Sequence, residues 1–111
     1  MPKLIISIEV RRDFYEIQRY LAEDLENPVA ASRVISAIMK KIRKLEKFPL
    51  LGPSLEVLVP FRTDSRYLVC GKHIAIYEFD SEKDQVIIDR VIDGRRDYLR
   101  ILFGEQLESE E

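Results

Sequence analysis

The segment that most constrains the fold lies in the last third of the chain. A mostly apolar hairpin pattern, Arg66-Tyr67-Leu68-Val69-Cys70-Gly71-Lys72-His73-Ile74-Ala75-Ile76-Tyr77, has Gly71-Lys72 at its turn. Glycine at the first turn position suits a type II′ hairpin. A polar stretch, Asp80-Ser81-Glu82-Lys83-Asp84, then separates it from Val86-Ile87-Ile88-Asp89-Arg90-Val91-Ile92. Two tight connections between three strand-like segments predict an antiparallel meander. The third segment is almost continuously apolar, the pattern of a central strand. It ends in Asp93-Gly94-Arg95-Arg96-Asp97, where glycine lets the backbone turn as two arginines arrive. A guanidinium is costly to bury unless it is paired or faces an anion. The segment therefore reads as a sheet whose rim carries arginine.

Helical spacing fills the first half. Leu4 to Ile8 reads as a short strand. Ser7 is placed to cap a helix, with Glu9 in its first turn. Phe14, Ile17, Leu21 and Leu25 follow at helical period, opposite Arg12, Glu16, Arg19 and Glu23. Asn27-Pro28 ends that helix and starts another, as cap and first helical residue. Ala31, Ile35, Ile38, Ile42 and Leu45 continue the apolar stripe until Phe48-Pro49. Leu50 to Asp64, with Gly52, Pro53 and Pro60, reads as a loop wrapping the body. The expectation is an α+β fold in the order strand-helix-helix-strand-strand-strand, with an antiparallel helical hairpin packed on an antiparallel sheet.

With 111 residues and 46% apolar content the chain suits one domain, assigned to residues 1–104, with 105–111 as an acidic tail. The formal charge of −2 conceals that tail; without Glu105, Glu108, Glu110 and Glu111, 18 basic residues face 16 acidic ones. The tail reads as solubilising and flexible, or as a competitor for the arginine rim. The body is less basic than strong nucleic-acid binders. No stretch is long enough for a membrane span, the N-terminus turns polar by Glu9, and Cys70 is the single cysteine, so a cytoplasmic protein is expected. One histidine and one cysteine do not make a zinc site.

Several short signals occur together: Ser7-x-Glu9, Ile17-x-x-Tyr20-Leu21, Asn27-Pro28-x-Ala30-Ala31, Leu45-x-x-Phe48-Pro49-x-x-Gly52, Arg66, Ile74-x-Ile76-Tyr77, and Arg90-Val91-Ile92-Asp93-Gly94-Arg95-Arg96-Asp97. In this order they resemble the RelE/ParE superfamily of toxins from type II toxin–antitoxin modules, which includes proteins of the plasmid-stabilisation type. The resemblance implies a toxin neutralised by a cognate antitoxin, with no cofactor. The antitoxin is expected on the sheet face, the helical hairpin groove or both, with Leu99, Leu102 and Phe103 part of its surface.

The resemblance implies two modes of action. RelE-like members cleave mRNA on the ribosome, and that reading assigns catalysis to Arg66, Arg95 and Tyr98. Those members commonly place a catalytic arginine where this chain has Ile74, and a tyrosine near Ile101. ParE-like members inhibit DNA gyrase without that set, and the Gly94-Arg95-Arg96-Asp97 ending resembles theirs more closely, although Asp93 stands where they often have histidine. The ParE-like reading takes Arg66, Arg90, Arg95 and Arg96 as target-binding residues. A homologue that has lost toxicity and survives as a binding module is the third alternative.

Individually, Arg66 reads either as a partner of Asp64 or as an anion contact. Arg90 reads as one member of an ion pair across the sheet. His73 has the only side chain with an unperturbed pKa near neutrality. Tyr77 and Cys70 read as core. Lys40, Lys41, Arg43, Lys44 and Lys47 complement the end of the second helix dipole.

Overall fold

The computed structural model describes residues 1–94. Four strands and two helices alternate as β1 (Lys3–Ile6), α1 (Ile8–Arg19), α2 (Pro28–Ile42), β2 (Arg66–Cys70), β3 (His73–Asp80) and β4 (Gln85–Asp93). Arg95, Arg96, Tyr98, Leu99, Leu102 and Phe103 lie outside the described residues.

Both helix starts follow the local chemistry of the sequence. The Ser7 side chain accepts from the Val10 N–H, and the Asn27 side chain accepts from the Ala30 N–H, with Pro28 opening α2. Between them the first helix widens into a π-helical turn, Tyr20–Asp24, and Glu26 adopts φ 50° before α2 begins. α2 tightens into a 3-10 turn, Arg43–Glu46, ahead of Phe48. The loop 50–64 holds a 3-10 turn at Leu55–Val57.

The sheet order is β1-β4-β3-β2. The meander β2-β3-β4 is antiparallel and β4 is central, as its apolar run predicts. Gly71 takes φ +64° while Lys72 stays on the negative side, consistent with the type II′ turn. β1 departs from a wholly antiparallel sheet: it adds to β4 in parallel, with Leu4 opposite Val86 and Ile6 opposite Ile88. Ser7 continues this pairing through its N–H to the Ile88 carbonyl at 3.2 Å, and the chain turns directly from there into α1 over β4.

Two apolar clusters sandwich the sheet. On one face Val10, Ile38, Ile42 and Leu45 meet Ala75, Tyr77, Val86, Ile88 and Val91. On the other, Leu55 and Val59 of the wrapping loop cover Ile74, Ile76 and Ile92. The loop is thus a second layer over the sheet, with Leu55 fully buried. Removing apolar area at roughly 25 cal/mol per Å² makes both faces stabilising.

Candidate functional site

Arg66 and Arg90 are the two predicted site residues within the described part, and each is engaged by the protein itself. Arg66, at the start of β2, sends Nη1 to the Gly52 carbonyl oxygen at 2.6 Å. Asp64 is not its partner. The Gly52 N–H donates to the Tyr77 hydroxyl at 2.9 Å, so one peptide segment is held from both sides by neighbouring strands. Arg66 and Tyr77 are directly opposed in the β2–β3 register. A Cβ at position 52 would stand 2.1 Å from the Tyr67 carbonyl oxygen, so the close approach requires glycine. Burial raises the Tyr77 hydroxyl's pKa, opposed by its Gly52 hydrogen bond and the Arg66 charge.

Arg90 forms a two-point ion pair, with Nε and Nη2 each 2.9 Å from an Asp13 carboxylate oxygen. Asp13 also accepts the Val91 N–H at 2.9 Å. The ion pair therefore spans the helix–sheet interface, whereas the sequence pattern suggested one across the sheet. Asp13 lies three residues after buried Val10 and four before Ile17, on the apolar stripe of α1. A single carboxylate on such a stripe, with arginine in a central strand, was the available signal.

β4 carries one irregularity beside this pair. Tyr77 pairs with Ile88 and Ile76 with Arg90, leaving Asp89 as the extra residue of a β-bulge. Burial, a hydrogen bond from one carboxyl to the other at Glu78, and the Glu78 and Glu9 charges push the Asp89 pKa up to about 8. The Asp89 backbone carbonyl accepts from the Ser7 hydroxyl at 3.1 Å, tying the bulge to the α1 cap.

Between the helical hairpin and the Gly71-Lys72 end of the sheet lies an open groove of about 1200 Å³. Ile17, Leu21, Leu25 and Val34 give it apolar walls, and Cys70, His73 and Asp93 lie along its sheet side. Tyr20 and Leu25 remain about half exposed there, at 49% and 53%. Lys41 and Lys72 stand on its edge, with the Arg19–Glu16 pair at 3.2 Å on the helical side. His73 and Asp93 face each other at the open end of β3 and β4. Burial raises the pKa of the Cys70 thiol, which suits a packing residue better than a nucleophile. Lys40, Arg43, Lys44 and Lys47 are exposed at the end of the second helical limb.

These features set an open groove beside a braced sheet. Ile74 is buried under the wrapping loop.

A family model described as "ParE toxin of type II toxin-antitoxin system, parDE" matches residues 4–98. The fold is similar to that in the chromosomal ParDE toxin–antitoxin system from P. aeruginosa, at a TM-score of 0.69 and 18% identity over 84% of this chain and 96% of that one. It is also similar to the toxin–antitoxin complex RelBE2 from Mycobacterium tuberculosis, at a TM-score of 0.60 and 19% identity over 84% and 99% of the respective chains. A search of curated proteins gives no significant match.

Proposed function

Because the chain belongs to the ParE toxin family of type II toxin–antitoxin systems, we propose that it acts as a binding inhibitor of DNA gyrase, held inactive by a cognate antitoxin. The observation carrying this reading is the state of the candidate cationic positions. Arg66 is bonded to a backbone carbonyl, Arg90 is paired with Asp13, and residue 74 is buried isoleucine. Phosphodiester cleavage needs cations aimed at the charge that develops on the phosphorane oxygens. Arg66 and Arg90 support the sheet. Arg95 and Arg96, immediately beyond the described residues, are the proposed contacts with the target.

The antitoxin part of the proposal draws on the two similar structures, both toxin–antitoxin systems. Exposed apolar side chains along the helical hairpin, among them Tyr20, Leu25 and Val29, suit a partner segment that covers them.

A supercoiling assay with purified gyrase and relaxed plasmid tests the proposal. Excess protein should abolish supercoiling, and Arg95→Ala combined with Arg96→Ala should restore it. Normal supercoiling, together with mRNA cut on translating ribosomes, would assign the RelE-like activity instead.

A further inference from the structure

We propose that the outer face at the end of α2 binds the phosphate backbone of duplex DNA through Lys40, Arg43, Lys44 and Lys47. The assignment holds whichever macromolecule the toxin targets, because it concerns DNA itself and a surface apart from the groove.

The four cations recur at i, i+3, i+4 and i+7, running from the last turn of α2 through the 3-10 turn, Arg43–Glu46. All four are exposed, while Ile38, Ile42 and Leu45 on the opposite side are buried. Lys41 belongs to the groove wall instead. At the rise of these helices the stripe is about 12 Å long. Four charges over that length approach the roughly 3.4 Å axial spacing of phosphates along one strand of a duplex.

Net charge does not produce such a stripe. Residues 1–94 carry 15 basic and 15 acidic side chains, yet residues 40–47 hold five basic and one acidic. That acid, Glu46, is half-buried, and among the described residues no ion pair involves any of the six. Like charges three and four residues apart on a helix repel. Lys40 against Arg43 and Lys44, and Lys47 against the same two, therefore destabilise the free protein. The helix dipole rewards cations in the last turn but does not relieve their crowding. A line of phosphates offsets the repulsion along its whole length.

Composition selects the partner. Three of the four are lysine, a residue depleted in protein–protein interfaces. Its compact charge on a flexible stem suits phosphate. Phe48, 61% exposed, is the single aromatic side chain next to the stripe in sequence. Single-stranded nucleic acids are held on a series of aromatic rings, one base after another. A duplex keeps its bases stacked inside and presents phosphates outward, and cations alone suffice to hold it.

Fluorescence anisotropy of a labelled mixed-sequence DNA duplex with the full-length protein tests the assignment. Four phosphate contacts contribute about −3.6 to the slope of log K against log salt, roughly a 10²-fold loss of affinity between about 50 and 200 mM. Lys40→Gln combined with Lys44→Gln should make the slope shallower by about 1.8. Arg11→Gln combined with Arg12→Gln removes two exposed cations from α1 and should leave the slope unchanged. Phe48→Ala should also leave it unchanged. Absence of duplex binding at low salt would overturn the proposal. So would an unchanged slope in the Lys40/Lys44 variant, or an equal loss in the Arg11/Arg12 variant, which would make binding a matter of net charge. Tighter binding of a single-stranded RNA of equal length would likewise contradict a duplex site. Displacement of the duplex by a polyglutamate peptide whose binding is lost in Phe48→Ala would assign the face to an acidic protein instead.

Discussion

Asp13 and Arg90, 77 positions apart in the chain, meet as a two-point ion pair at 2.9 Å, and the same carboxylate accepts the Val91 N–H. This pair fastens α1 to the central strand. Asp13 is the more enclosed partner, with its side chain 13% exposed against 30% for Arg90. Breaking a largely enclosed pair leaves a charge and a backbone donor without partners, costing roughly 3 kcal/mol. Asp13→Ala should lower the unfolding free energy by about that amount in urea titrations. Arg90→Lys should incur a smaller loss, since an ammonium keeps the charge but does not reproduce the planar fork.

The Gly52 anchor predicts a second set of costs. Tyr77→Phe leaves the Gly52 N–H without its partner and should destabilise by about 1–3 kcal/mol. Gly52→Ala should be worse, because the new Cβ meets backbone at Tyr67. Both changes loosen the start of the wrapping loop, so hydrogen exchange should accelerate across residues 50–64 while α1 and α2 stay protected. Equal acceleration in the helices would contradict a local anchor.

Asp89 predicts a pH dependence of defined sign. Its pKa is raised from the ordinary carboxylate value to about 8 in the folded protein. Between roughly pH 4 and pH 8 the folded state therefore holds a proton that the unfolded chain has released. Stability contributed by this group is full below that window and falls as pH rises through it. Asp89→Asn stays neutral throughout, so it should flatten the decline and be more stable than the unaltered protein at pH 8. Denaturation midpoints at pH 5, 7 and 8.5 check this; a steeper decline in Asp89→Asn would refute it.

Ile74 predicts how the second sheet face responds to charge. It is 9% exposed beneath Leu55 and Val59. Ile74→Arg should destabilise the fold by roughly 2–4 kcal/mol by placing a charge in that cluster, without creating RNA cleavage. Translating ribosomes with a reporter mRNA would report any activity gained.

Local rules made much of this architecture legible. Ser7 and Asn27-Pro28 carry their capping chemistry within a few residues, and Gly71-Lys72 sets a hairpin through backbone conformation alone. The continuous apolar run of β4 marked it as central. The parallel addition of β1 was not legible, because strand direction depends on where α1 and α2 return the chain. The Arg66–Gly52–Tyr77 anchor depends on approach distances between a loop and two strands, which no spacing encodes. Arg90 was recognisable as a paired cation, yet its partner lay on a helix whose rotation is set only by packing. The bulge at Asp89 is hidden for a similar reason: it is a register offset between two otherwise regular strands.

Trapping of gyrase on DNA tests the central claim most directly. Purified protein, gyrase, supercoiled plasmid and ATP are incubated, then treated with detergent and protease. The account predicts linear DNA that increases with toxin concentration and disappears when Arg95 and Arg96 are both replaced by alanine. Absence of linear product alongside normal supercoiling would contradict it.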